Sequence, residues 1–198
     1  MNKKEIPNAS GKRSMSTRTL AYCALLAALS VVFARLIIPM PNASTRFSIE
    51  AVPIFISGML FGPMAGGIVG FSADLVGCLF SGYGFNPLFS LPPILYSVFA
   101  GLFRRCYGEK VSLVRLILAF LPPVVLGSVL YQSAALSFVY NSKGTFWLSY
   151  KYFLATRAIQ FAVTMVLDVV IIFYLFKTGM FTRLGVWPPK LKIKADPD

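Results

Sequence analysis

Residues 63–80 read PMAGGIVGFSADLVGCLF, an apolar stretch whose only charged side chain is Asp74. The run from about Met64 to Phe80 approaches the roughly 20 residues that a helix needs to cross the hydrocarbon core of a bilayer. Within it, Gly66, Gly70, Asp74 and Gly77 recur at steps of four, four and three, so they share one helical face. Glycines on one face let a second helix come close, and Asp74 is therefore predicted to face protein rather than lipid. Counted from the start of the run at 1.5 Å per residue, Asp74 lies roughly 15 Å up, near the midplane.

Five further apolar runs flank this one, at about Thr19–Ile38, Ile49–Leu60, Pro87–Phe103, Val111–Tyr140 and Tyr150–Phe176. The second is short and stops at Gly62-Pro63; the fourth carries Pro92-Pro93 and is expected to kink. The fifth is too long for one straight span and carries Pro122-Pro123. Of the 198 residues, 57% are hydrophobic and only 13% charged, with a mean hydropathy of +0.71. So few charges cannot cover a water-facing surface of this size, which makes lipid the expected solvent. The expected fold is an all-α membrane protein of six transmembrane helices. A basic tail at 1–18 precedes a six-helix transmembrane domain at 19–177, and a second basic tail spans 178–198.

The net charge of +12 does not point to nucleic acid, because the basic residues are not spread along a polar face. Fourteen of the 19 fall in the two tails, at Lys177 just before the second tail, and in the loop between the fourth and fifth runs, which holds Arg104, Arg105, Lys110 and Arg115. That asymmetry follows the positive-inside rule and places both termini in the cytoplasm. The first 18 residues are polar and no small-residue cleavage site closes the next stretch, so the latter reads as the first span. Cys23, Cys78 and Cys106 lack paired or metal-like spacing, and histidine is absent.

The sixth run carries a second polar stripe, Tyr150, Phe153, Arg157, Gln160, Thr164 and Asp168, again at steps of three and four. A guanidinium fork and an amide one turn apart suit a planar or anionic ligand. The plainer alternative makes Arg157 the neutralising partner of Asp74 or Glu50. Asp74 itself reads either as a lock between helices or as an acceptor for a ligand's N–H groups. Arg46, Lys143 and Lys151 fall on the outer side with Tyr83, Phe85, Phe89, Phe146, Trp147 and Tyr150. Single aromatics there are ordinary interface residues, but loops 81–86 and 141–149 combine large rings with Gly or Asn hinges suited to closing over a flat ligand. Tyr131 and Gln132 are candidates for the same cavity. In the first run Ala24 and Ala28, four apart, make a flat face for close packing.

No GxxxxGK[ST], HExxH, CxxC or GxSxG occurs, so no ATP site of that kind, catalytic residue, metal site or cofactor is expected. Nor is there the internal symmetry of a secondary transporter. Six short spans can cradle a ligand but are poorly suited to alternating access alone, which implies a partner.

Several blocks then carry a family resemblance: Arg46-Phe-Ser-Ile-Glu50, Gly58-Met-Leu-Phe-Gly-Pro63, Gly66-Gly67, Ala73-Asp74-Leu-Val-Gly77, Gly84-Phe-Asn-Pro-Leu-Phe-Ser-Leu-Pro-Pro93 and Thr156-Arg-Ala-Ile-Gln160. Across about residues 17 to 177 the chain resembles the substrate-capture (S) components of energy-coupling factor transporters, the folate-specific branch in particular. The resemblance implies a six-helix fold in a bacterial plasma membrane that binds a vitamin at its outer face. It also implies a transmembrane coupling protein and two ATPases as partners, with Ala24 and Ala28 as the contact with the coupling protein. Folate is the expected ligand; riboflavin, thiamine and pantothenate are bound on the same fold. On this reading Asp74, Gln160 and Asn86 hydrogen-bond the pterin, and Tyr83, Phe89 and Trp147 stack on it. Arg46, Lys151 and Arg157 meet the anionic tail, with Gln132 in the same cavity. Two rival classes are a small membrane enzyme acting on a lipid and a structural subunit without ligand. The first lacks a cytoplasmic carboxylate pair, and the second would carry no co-purifying small molecule.

Overall fold

Helix α2, Ala51–Phe61, is apolar on every side, and a helix hydrophobic all round must be buried all round. It is: every residue from Val52 to Leu60 is buried, with α1, α3, α4 and α7 packed about it. The computed structural model describes residues 15–35, 38–39, 46–81, 85–108, 111–140 and 145–187. Around α2 stand α1 (Thr17–Phe33), α3 (Pro63–Ser81) and α4 (Pro87–Leu102), which continues as a 3-10 turn to Cys106. Then come α5 (Leu113–Pro123), a π-helical segment (Val124–Tyr131), α6 (Gln132–Tyr140), α7 (Phe146–Lys177) and the short α8 (Met180–Arg183). Between α1 and α2, Ile38–Pro39 pairs antiparallel with Arg46–Phe47, and this small ladder rests against α7.

The α2–α3–α4 contact is set by glycine. A Cβ on Gly66 would come 2.7 Å from Gly58 Cα, and one on Gly70 would come 2.5 Å from the Pro93 carbonyl oxygen. Gly58 lies equally tight on Ser97, and Gly101 on the Gly62-Pro63 turn. At that turn Gly62 takes φ +91°, its N–H closes on the Gly58 carbonyl at 2.9 Å, and Pro63 opens α3. Below the turn Arg104 donates to the Leu60 carbonyl at 2.6 Å, capping the C-terminus of α2. Burial pulls this guanidinium below its usual range.

The outward faces are apolar: Met64 is 83% exposed, Leu79 76% and Phe138 75%. Lipid, not water, is the solvent that tolerates such a surface. The segments 63–80, 113–139 and 146–177 are long and apolar enough to cross a membrane, and α1 and α2 are shorter apolar helices. The chain is a membrane protein on this evidence.

The fifth apolar run stays continuous by widening. Pro122 and Pro123 bring no N–H to the helix ladder, and the chain passes into π geometry immediately after them. The α7 helix begins at Phe146, four residues before the expected start. Phe146 and Trp147 thus belong to its first turn rather than to a loop, and the Phe146 and Tyr150 rings stack at 6.1 Å. Beyond α7 the chain folds back through α8, and Trp187 packs edge-on against Phe176 at 5.0 Å.

Candidate functional site

The α4 helix starts with a well-made cap. Asn86 Oδ1 accepts from the Leu88 N–H at 3.1 Å, and Pro87 follows at the first helical position. This fixes the first turn and brings Ser90, itself buried, against α3. There the Ser90 hydroxyl donates to Asp74 Oδ2 at 2.5 Å, tying α4 directly to α3. Asp74 is half-buried and makes no other hydrogen bond among the described residues. One of its oxygens is held; the other is open. One turn further out, Arg35 at the end of α1 donates to the Gly77 carbonyl at 3.0 Å. Gly77 has nothing within 4 Å of where a Cβ would stand. It packs no helix, unlike Gly66 and Gly70, but leaves its carbonyl accessible to the guanidinium.

A second polar group lies deeper. The Tyr96 hydroxyl pairs with Ser128 Oγ at 3.0 Å, tying α4 to the π segment. It sits within electrostatic reach of Asp168, Glu50 and Arg157. Asp168 is 1% exposed, and its Oδ1 has no hydrogen-bond partner among the described residues. Gln160 and Thr164 are buried on the same face of α7, and Arg157 is half-buried with its guanidinium 5.7 Å from the Phe161 ring centroid.

The remaining expected site residues are distributed as follows. Phe89 and Gln132 are half-buried, at the starts of α4 and α6. Trp147 is 72% exposed, and Lys151 lines a shallow cleft at the N-terminal end of α7 with Leu148, Ser149, Tyr152 and Phe153. Arg46 lies on the ladder against α7, its side chain outside the described set, and Tyr83 lies outside the described residues. Ala24 and Ala28 line an apolar groove of about 350 Å³ between α1 and α3, with Cys23, Ile68 and Val76. The helices α3 and α7, which carry the two polar stripes, both pack on α2, while α4 carries the direct partner of Asp74. Ser90, Arg35 and the Tyr96–Ser128 pair were not anticipated. A serine inside an apolar run gives no periodic signal, although Ser90 sits beside the Pro92-Pro93 pair that disturbs its helix.

A family model described as "ECF-type riboflavin transporter, S component" matches residues 14–178. The chain belongs to that family. This S component is 34% identical over 101 residues to the folate transporter FolT of Clostridium novyi (strain NT), a match covering 50% of this chain and 57% of that relative. Its fold matches the crystal structure of FolT bound with folic acid with a TM-score of 0.68 and 28% identity, over 82% of this chain and 95% of that one. It also matches the S component for biotin of an ECF-type ABC transporter, with a TM-score of 0.61 and 22% identity over 86% and 98% of the two chains. The latter likeness speaks for the fold alone. These relatives are transporter components and not enzymes.

Proposed function

We propose that this S component captures folate at the outer face of a bacterial plasma membrane. It spans the membrane six times with both termini inside, and hands its ligand to a transmembrane coupling protein driven by two ATPases. The observation that carries the reading is Asp74: a carboxylate in an apolar span, with one oxygen fixed by Ser90 and the other open. An unmatched acceptor at that depth is costly unless a ligand supplies the donor. The similarity to FolT, in sequence and in fold, makes a pterin the first candidate for that donor. Asp74 takes the pterin N–H groups, with Asn86 and Gln160 as further hydrogen-bonders and Phe89, Trp147 and Tyr83 as stacking rings. Arg46, Lys151 and Arg157 meet the glutamate tail, and Gln132 borders the cavity. Ala24 and Ala28 form the docking face for the coupling protein, supported by the groove they line.

Native mass spectrometry of the purified chain tests the ligand: folate is expected to co-purify, and release of riboflavin, biotin or thiamine instead would reject the assignment. Ala24→Trp or Ala28→Trp is expected to leave folate binding intact while abolishing uptake by cells expressing the complete transporter. Normal uptake in those variants would remove the docking face from the α1–α3 groove.

A further inference from the structure

Three hydrogen-bond acceptors lie along the contact between α3 and the first turns of α4. The first is the open oxygen of Asp74. The second is Ser90 Oγ, whose single proton is committed to Asp74 Oδ2, leaving only lone pairs. The third comes from a proline. Pro93 has no N–H, so the Phe89 carbonyl, four residues earlier, lacks the partner that an uninterrupted helix would give it. Pro93 lies on the α3 side of α4, because its own carbonyl abuts Gly70. Carbonyls four residues apart lie on nearly the same side of a helix, which puts the unfilled Phe89 carbonyl on the α3 side of α4, within a turn of Ser90. The one hydroxyl in this group offers nothing to donate.

We propose that this acceptor-only edge selects the ligand's head group, and that Ser90 and Pro93 are specificity-determining residues: the edge takes a planar ring presenting adjacent N–H donors, as a 2-aminopyrimidin-4-one does. The inference rests on the reading of Asp74 as the pterin acceptor and extends it to the chemistry that separates one vitamin from another. An isoalloxazine edge carries one N–H flanked by two carbonyls, which would set acceptor against acceptor here. Burying unmatched polar groups in that way is how a site rejects a ligand of similar size. Ser90 acts twice, orienting the carboxylate and adding its own lone pairs. Pro93 acts by withholding a donor.

The test is calorimetric titration of the full-length chain, purified in detergent and freed of ligand, with folic acid, 2-desaminofolic acid and riboflavin. The unmodified protein should prefer folic acid over the desamino compound by about tenfold or more, the cost of one donor lost to a charged acceptor. Ser90→Ala should weaken folic acid about tenfold while changing the desamino compound less than twofold, and Ser90→Thr should restore the preference. Pro93→Ala returns an N–H to the Phe89 carbonyl while keeping a Cβ, and should narrow the gap between folic acid and riboflavin. Equal losses for folic acid and its desamino analogue in Ser90→Ala, or an unchanged folate-to-riboflavin ratio in Pro93→Ala, would overturn the proposal and leave the Asp74 reading standing. Unaltered folic acid binding by Asp74→Asn would overturn that reading itself.

Discussion

The two halves of α3 use the same residue types for opposite ends. In the lower half Gly66 and Gly70 remove side chains so that α2 and α4 touch the backbone. In the upper half no described atom stands within 4 Å of where a Gly77 Cβ would lie, and Asp74 keeps one oxygen unengaged among the described residues. The lower half is packed to hold the bundle together, and the upper half is left loosely covered by the described residues. The same spacing runs through both. Periodicity therefore tells which face of a helix is turned inward, but not whether a neighbour waits there.

Substitutions that add one methyl separate the halves most sharply. Gly70→Ala drives a Cβ into the Pro93 carbonyl, and overpacking of this kind costs about 1–3 kcal/mol. A clear fall in the thermal midpoint of the detergent-solubilised protein is expected, and an unchanged midpoint would dissolve the contrast. Next in size is Asp74→Asn, which should cost about 1.5–3 kcal/mol in folate affinity with little change in the melting of the ligand-free chain. If melting collapsed instead, Asp74 would belong with the lower, structural half. Arg35→Gln removes an exposed hydrogen bond to Gly77 worth about 0.5–1.5 kcal/mol. Faster ligand release in stopped-flow is the expected sign, with the thermal midpoint held. The smallest effect belongs to Gly77→Ala: with no neighbour to strike and a better helix former in place, stability should hold or rise by up to about 1 kcal/mol. A marked loss there would show that the upper half is packed after all.

Much of the architecture is legible in the chain. Apolar runs gave the helices, since length and hydropathy constrain a membrane segment more tightly than a soluble one, and the Gly58, Gly66 and Ala73-Asp74 blocks carried the family. The four-residue lead of α7 over its expected start was not legible, because Lys151 interrupts the apolar pattern and Thr145 makes no side-chain cap. Nor was the central position of α2, whose short run gives its length but not its neighbours. At the site, Asp74 stood out because a carboxylate at membrane depth is rare. Ser90 did not, because hydroxyls at that depth usually satisfy themselves on their own helix, as Thr164 does on the Gln160 carbonyl. Arg35 was not anticipated at the site either. Its bond to Gly77 joins residues 42 apart in the chain, and no local pattern encodes such a pair.

The chain has only two tryptophans, and the fold places them in opposite circumstances. Trp187 is 5% exposed and wedged against Phe176, whereas Trp147 stands 72% exposed at the far end of the same long helix. The protein thus carries a built-in pair of optical probes, a shielded one for reference and an uncovered one for signal. Quenching confined to the red-shifted component would report events at the start of α7 in the native chain, with no label attached.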